Sequence, residues 1–318
     1  MLAGHVWPNG LANGGSVGVT VFFALSGFLI TSLLVEEHST RGDISLRRFY
    51  ERRARRLLPA LFVYLAFWSV LTIVGIGPYR VQAAEVVAAL LYCMNWVMAG
   101  GFRVSNPLGI TWSLSVEEQF YLLWPLTFLA ARRLPKLPWV VAGAGAAYAV
   151  GARVLGWGST SIAGIYYRTD LRVDSLLIGC LAALLIHRYG APRSVPAVLA
   201  PGSVIVLAVL FGTHGDWLKY VAVPMLASLA AVGLILALVV RGQAWLEWSV
   251  LRWFGRRSYA LYLWHYPLVA MAWSGLNVLP MWLAVGLALL AAEASWWLVE
   301  KPFRKKHSPG PASELLPT

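Results

Sequence analysis

The sequence predicts an all-α, polytopic bundle of about ten membrane-spanning helices. Three observations carry that expectation. Hydrophobic residues make up 59% of the 318 and charged ones only 13%. Apolar runs of about 17–22 residues recur along the chain, the length that crosses a hydrocarbon core as a helix. The Lys and Arg cluster in the short segments between runs rather than on one face of a soluble domain. That placement makes the net charge of +12 a topology signal and argues against nucleic-acid binding. The two cysteines, Cys93 and Cys180, both lie inside apolar runs, so no disulfide framework is implied. No metal site is expected.

Residues 1–7 are too short to span and read as the last turns of a first helix that begins before Met1. His5 sits in this stretch. The run 16–35 is a clear span whose Gly18, Ala24, Ser26 and Gly27 suit close helix packing. The stretch 36–56 reads as a loop with seven arginines, a cytoplasmic anchor. Within it Arg52, Arg55 and Arg56 share a helical face. A second role stays open, since clustered guanidiniums bind phosphates.

Further spans are expected at about 57–77, 114–131, 138–156, 174–190, 196–212, 219–240, 254–273 and 280–299. The apolar run 81–99 is ambiguous, and charge decides it. If it stops short of crossing, twenty of the 26 Lys and Arg fall on one side, leaving Arg80, Arg103, Arg153, Arg168, Arg172 and Lys219. The positive-inside rule therefore makes 81–99 re-entrant or interfacial, with the C-terminus cytoplasmic. The expected organisation is one integral-membrane domain over 1–306, its first helix incomplete, and a disordered cytoplasmic tail over 307–318.

The stretch TWSLSVEEQFYLLWP (111–125) places Glu117 and Glu118 at the start of a span. Adjacent helical residues point about 100° apart, so the two carboxylates face different ways. Glu117 shares a face with Tyr121. A carboxylate in hydrocarbon is costly, which points to a task in proton handling; a surface glutamate favoured by the helix dipole is the other reading. On the same outer side, YYRTDLRVDSLLIG (166–179) holds Arg168, Asp170, Arg172 and Asp174. Mutual salt bridging there stands beside a functional role. Ser258, Tyr262 and His265 share one face of a later span. His265 is either hydrogen-bonded across helices or catalytic. Pro302 is expected to stop the last helix.

Taken together, GVTVFFALSGFLI (18–30), FYERRARRLLPA (49–60), WSLSVEEQFYLLWP (112–125), TDLRVDSLLIG (169–179), SYALYLWHYPL (258–268) and VEKPFRKK (299–306) resemble the bacterial acyltransferase family 3. These are integral-membrane O-acyltransferases that modify carbohydrates and some antibiotics. The segments run in the family's order over nearly the whole chain. The resemblance implies transfer of an acyl group, short in length, from acyl-CoA as donor substrate to a hydroxyl of a carbohydrate, surface glycan or secondary metabolite, in the bacterial plasma membrane and with no bound cofactor. It implies His5 and Glu117 as catalytic, and Arg53 and Arg56, with Arg52 beside them, as holders of the CoA phosphates. Tyr121, Arg172, Asp174 and His265 are candidate supporting residues, with Tyr121 or Arg172 steadying an oxyanion. Two departures stand out. The family's arginine eleven residues before the histidine falls before Met1, and Thr20 replaces an Asp that is usual there. The competing reading is a transporter of a glycan or lipid-linked substrate, since intramembrane His, Glu, Asp and Arg also mark transport paths. The chain lacks the paired interrupted segments of inverted repeats, which counts against it.

Overall fold

The computed structural model describes residues 14–242, 248–273 and 278–304. The described residues form helices and no strand, as the composition predicts. Contacts divide the chain into two compact units. One holds Met1–Ile44 and Gln82–Glu247, the other Ser45–Val81 and Trp248–Thr318. Among the described residues five helices are long and apolar enough to cross a membrane: Gly15–Arg41, Leu46–Val74, Leu137–Leu155, Leu218–Arg241 and Met281–Arg304. The other expected spans fall on helices that are shorter or more polar.

In the first unit α1 (Gly14–Arg41) packs against α6 (Thr111–Ala130) and α10 (Asp174–Tyr189). Between them along the chain lie α3 (Ala83–Leu90), α4 (Met94–Ala99), α5 (Asn106–Gly109), α7 (Leu137–Leu155), α8 (Ile162–Tyr167) and α9 (Thr169–Arg172). A hairpin of α11 (Leu199–Phe211) and α12 (Val223–Arg241) completes the unit. The α1–α10 crossing is backbone-close. A Cβ on Gly27 would lie 1.9 Å from the Leu176 carbonyl oxygen, and one on Gly179 would lie 2.0 Å from that of Ala24. Small residues permit this approach, as the small-residue pattern of α1 predicts.

Side-chain contacts fix the directions. Thr20 meets Arg172 and Gly27 meets Cys180, so α1 and α10 run the same way. Phe23 packs on Trp112 and Thr31 bonds Trp124, so α6 runs with them. Arg153, near the end of α7, meets Asp174 at the start of α10, so α7 runs against them. Val17 clusters with Leu210 and Val223, which puts the α11–α12 turn at the beginning of α1. At the other end Asp43 pairs with Arg132, and Arg241 donates to the Val195 carbonyl at 2.5 Å. The basic segments of this unit thus gather at one end, as the charge pattern predicts.

The run 81–99 resolves into α3 and α4, broken at Tyr92, whose φ is 53°. Eight residues of helix rise about 12 Å, well short of a bilayer core. Glu85 closes the segment by accepting from the Ser105 backbone N–H at 2.9 Å and the Ser105 hydroxyl at 2.5 Å. A full crossing would also have reversed α6 relative to α1. The parallel pair agrees with a segment that does not cross.

In the second unit α2 (Leu46–Val74) runs alongside α14 (Ser258–Trp273), with α13 (Ser249–Arg256) before the latter. Tyr259 donates to the Leu57 carbonyl at 3.1 Å, and Tyr79 donates to that of Pro267 at 2.7 Å. α15 (Met281–Ser295) returns antiparallel, and Arg257 forks onto Glu293. Two expectations need correction here. The basic loop expected at 36–56 shrinks to 42–45, because α1 extends to Arg41 and Ser45 caps α2 by accepting from Arg48 N–H at 3.4 Å. Arg47 to Arg56 therefore stand on the first turns of α2. Pro302 does not end the last helix. A π-helical turn, Trp296–Glu300, precedes it and leads into α16 (Lys301–Arg304). The same arrangement recurs at Leu218–Ala222 before Pro224. A widened turn accommodates the ring that would strike the carbonyl four residues back.

Candidate active site

The site grows from the starts of α1, α6 and α10, which lie at one end of the first unit. α6 begins after the short helix α5, and its face carries Glu117, Tyr121 and Trp124 at spacings of four and three. Trp124 donates to Thr31 at 2.9 Å, so this face looks toward α1. Glu117 is buried at 4% exposure, whereas Glu118 is half-buried on another face. The Tyr121 hydroxyl donates to the Glu117 carboxylate, the i, i+4 contact the spacing predicts.

About one and a half helical turns before Glu117, Trp112 packs edge-on against Phe23 and against Tyr167, and lies 5.0 Å from Tyr166. Arg172 enters this aromatic cluster fully buried. Its guanidinium carbon lies 5.2 Å from the Tyr166 ring centre and 6.0 Å from that of Trp112. Its Nη2 donates to the Thr20 hydroxyl at 3.3 Å, and Thr20 in turn donates to the Ser16 carbonyl at 2.9 Å. Nε and Nη1 find no acceptor among the described residues. In this unit the buried side-chain nitrogens and oxygens without a partner among the described residues belong to Ser16, Arg153, Arg172 and Ser175. Unsatisfied buried polar atoms are rare, and two of them belong to the one Arg172 guanidinium.

The mutual salt bridging expected within 168–174 forms in part. Arg168 forks onto Asp170 at 3.0 and 2.7 Å. Asp174 turns to Arg153, a fully buried partner from α7 that sequence reading gave no role. Nothing local in the sequence links positions 153 and 174. Asp170 and Asp174 also share no continuous helical face, because the helix breaks at Val173 between α9 and α10.

A second polar network pins the segment 81–99 to this end. Gln119 donates to the Tyr92 carbonyl at 2.6 Å and to Asn95 at 3.0 Å. Asn95 donates to the Tyr167 carbonyl at 3.1 Å and to Thr169 at 2.9 Å, and Thr169 closes the ring on Gln119 at 2.5 Å. Gln119 lies inside WSLSVEEQFYLLWP, yet only the fold shows what it holds.

His5 lies outside the described residues, as does the expected tail 307–318. In the second unit His265 is buried, and its Nδ1 lies 2.8 Å from the Leu261 and Tyr262 carbonyls of its own helix. That contact runs along α14. Arg52 and Arg56 are exposed on α2, and Arg53 is half-buried beside them. Glu300 is fully buried and accepts from Arg304 at 3.0 Å, and Arg56 acts on both electrostatically. No group of three or more His, Cys, Asp or Glu suited to a metal occurs among the described residues.

A helical membrane bundle with a buried carboxylate and a buried guanidinium whose Nε and Nη1 have no acceptor among the described residues has the makings of a group-transfer enzyme. The family described as the acyltransferase domain (acyltransferase 3) matches residues 1–300, and the chain belongs to it. Among curated proteins the chain is similar to the peptidoglycan O-acetyltransferase OatA of Listeria monocytogenes, at 33% identity over 92% of this chain and 52% of that protein. It is similar to the "Putative peptidoglycan O-acetyltransferase YrhL" of Bacillus subtilis at 32% identity, covering 92% and 51%. A Staphylococcus aureus relative named "Putative O-acetyltransferase" matches at 31% identity, covering 92% and 53%. The chain thus spans about half the length of these relatives. No solved structure matches it.

Proposed function

We propose that this chain is a membrane O-acyltransferase that moves a short acyl group from acyl-CoA to a hydroxyl of a cell-wall glycan. The observation that carries the reading is the Arg172 guanidinium, fully buried with two nitrogens lacking acceptors among the described residues, at the same end of α1 as the entrance of α6 that bears Glu117. The printed names of the relatives supply the acceptor class.

In this account the acceptor hydroxyl oxygen attacks the thioester carbonyl carbon. The carbonyl electron pair moves onto oxygen, and Arg172 receives that oxyanion. His5 takes the hydroxyl proton, since an imidazole changes charge near neutral pH. Glu117, steadied by Tyr121, orients the imidazole or balances its cation. The tetrahedral species then re-forms the carbonyl and expels CoA thiolate, which takes from His5 the proton that came from the acceptor hydroxyl. Arg52, Arg53 and Arg56 take the CoA phosphates through charge-assisted hydrogen bonds. Their ends of the helices face the cytoplasm, the chain crosses about ten times, and the C-terminus is cytoplasmic, as the basic residues favour.

The test is transfer by the purified protein in liposomes. With acetyl-CoA and soluble peptidoglycan fragments, release of CoA thiol should match formation of acetyl ester. A protein that moves glycan across the bilayer without consuming acetyl-CoA contradicts the reading.

A further inference from the structure

Arg153 reaches the α9–α10 junction from near the end of α7, and it is fully buried. Its Nη1 donates to the Leu171 carbonyl at 2.7 Å and to Asp174 Oδ1 at 3.0 Å, while its Nη2 donates to Asp174 Oδ2 at 2.5 Å. These acceptors flank Arg172 in the sequence. One guanidinium therefore fixes the backbone just before Arg172 and occupies both oxygens of the carboxylate just after it. Asp174 is also close enough to act on Arg172 electrostatically. A buried carboxylate deprived of its partner takes the nearest cation, because leaving it uncompensated is far costlier. Without Arg153 that cation is Arg172, and a fork-to-carboxylate pair would consume its open donors. Thr20 supplies only a neutral hydroxyl, so it does not do this itself.

We propose that Arg153 is a positioning residue for acyl transfer: by holding Asp174 with both nitrogens it keeps that carboxylate off Arg172, whose guanidinium stays available for the developing oxyanion. This rests on the reading of Arg172 given under the proposed function. It assigns Asp174 to Arg153 rather than to the reaction. Lysine is a poor substitute, since one ammonium lacks the planar fork that serves both oxygens and the Leu171 carbonyl.

The test compares Arg153→Gln, Arg153→Lys, the double variant Arg153→Gln/Asp174→Asn, and Arg172→Gln. Each is reconstituted in liposomes, with the folded fraction measured by size-exclusion chromatography. The readout is kcat per folded molecule for CoA release from acetyl-CoA with peptidoglycan fragments. Arg172→Gln should lose about 100- to 1,000-fold, as for a lost oxyanion donor. Arg153→Gln should lose at least about tenfold in kcat with little change in KM for acetyl-CoA, and the double variant should recover most of that loss, because no carboxylate remains to capture Arg172. Should Arg153→Gln not fold, Arg153→Lys must show a reduced kcat that acetyl-CoA saturation does not restore. An unchanged kcat per folded molecule in the single variants, or a double variant no faster than Arg153→Gln, overturns the proposal and leaves the pair a structural brace. An active Arg172→Gln instead overturns the role of Arg172, and the inference falls with it.

Discussion

Trp124 donates its indole N–H to the Thr31 hydroxyl at 2.9 Å, and both side chains are buried. With Phe23 on Trp112, this contact makes α1 and α6 parallel. With α2 and a complete crossing at 81–99 both lying between them in the chain, the two helices would run antiparallel. The direction of α6 therefore predicts a labelling pattern. In a background lacking Cys93 and Cys180, a cysteine at His214 should react from the face opposite to cysteines at Arg133 and Tyr189. Labelling of all three from one side would contradict the arrangement.

The α1–α10 crossing should be intolerant of side chains. Gly27→Val places methyl groups where the Leu176 carbonyl already stands, so the helices must separate. Overpacking of this kind costs about 1–3 kcal/mol or more. Thermal unfolding in detergent should show a clear drop. The control Gly143→Ala, on α7 where an added Cβ meets nothing within 4 Å, should be close to neutral. Equal melting of both variants would sink the close-packing account.

Asn95 is fully buried and holds Tyr167, Thr169 and Gln119 together. Asn95→Leu removes its bonds to the Tyr167 carbonyl, the Thr169 hydroxyl and the Gln119 amide, and Gln119 keeps Tyr92 and Thr169; each buried bond lost should cost about 1 kcal/mol. Hydrogen exchange should accelerate in 83–105 and 162–172 and leave α11 and α12 unchanged. Unaltered exchange in 83–105 would show that the segment is held by packing alone.

Donor binding should depend on the arginines of α2. On the proposed reading, Arg53→Ala and Arg56→Ala should each cost one charge-assisted phosphate contact, about 1.5–3 kcal/mol, or roughly 10- to 150-fold in affinity. Equilibrium binding of acetyl-CoA to the purified variants measures this. Wild-type affinity in both would reduce the arginines to topological anchors.

Local patterns made much of this molecule legible. Apolar run length located the helices, and the i, i+4 spacing gave the Glu117–Tyr121 contact. Charge placement put the basic ends of the first unit together and set 81–99 apart. What stayed hidden was long-range or depended on backbone detail. Arg153 and Asp174 are 21 residues apart on different helices, so neither announces the other. Gln119 looks like any polar residue of its motif until Asn95 and Thr169 are brought to it. Pro302 reads as a terminator because a linear rule ignores the π-helical turn that relieves its clash. The basic stretch 47–56 reads as loop by charge, although a serine cap already starts a helix at Leu46.

The most direct test of the account is the contrast between two adjacent glutamates. Glu117 is buried with Tyr121 on the face toward α1, and Glu118 points elsewhere. Glu117→Gln keeps the shape and removes the charge. In liposomes with acetyl-CoA and peptidoglycan fragments it should lower the acetyl-transfer rate per folded molecule about 100- to 10,000-fold, the range for loss of proton-transfer catalysis. Glu118→Gln should stay near the unmutated rate. Transfer by Glu117→Gln at the unmutated rate, or equal losses in the two variants, would contradict the claim that this carboxylate serves the chemistry.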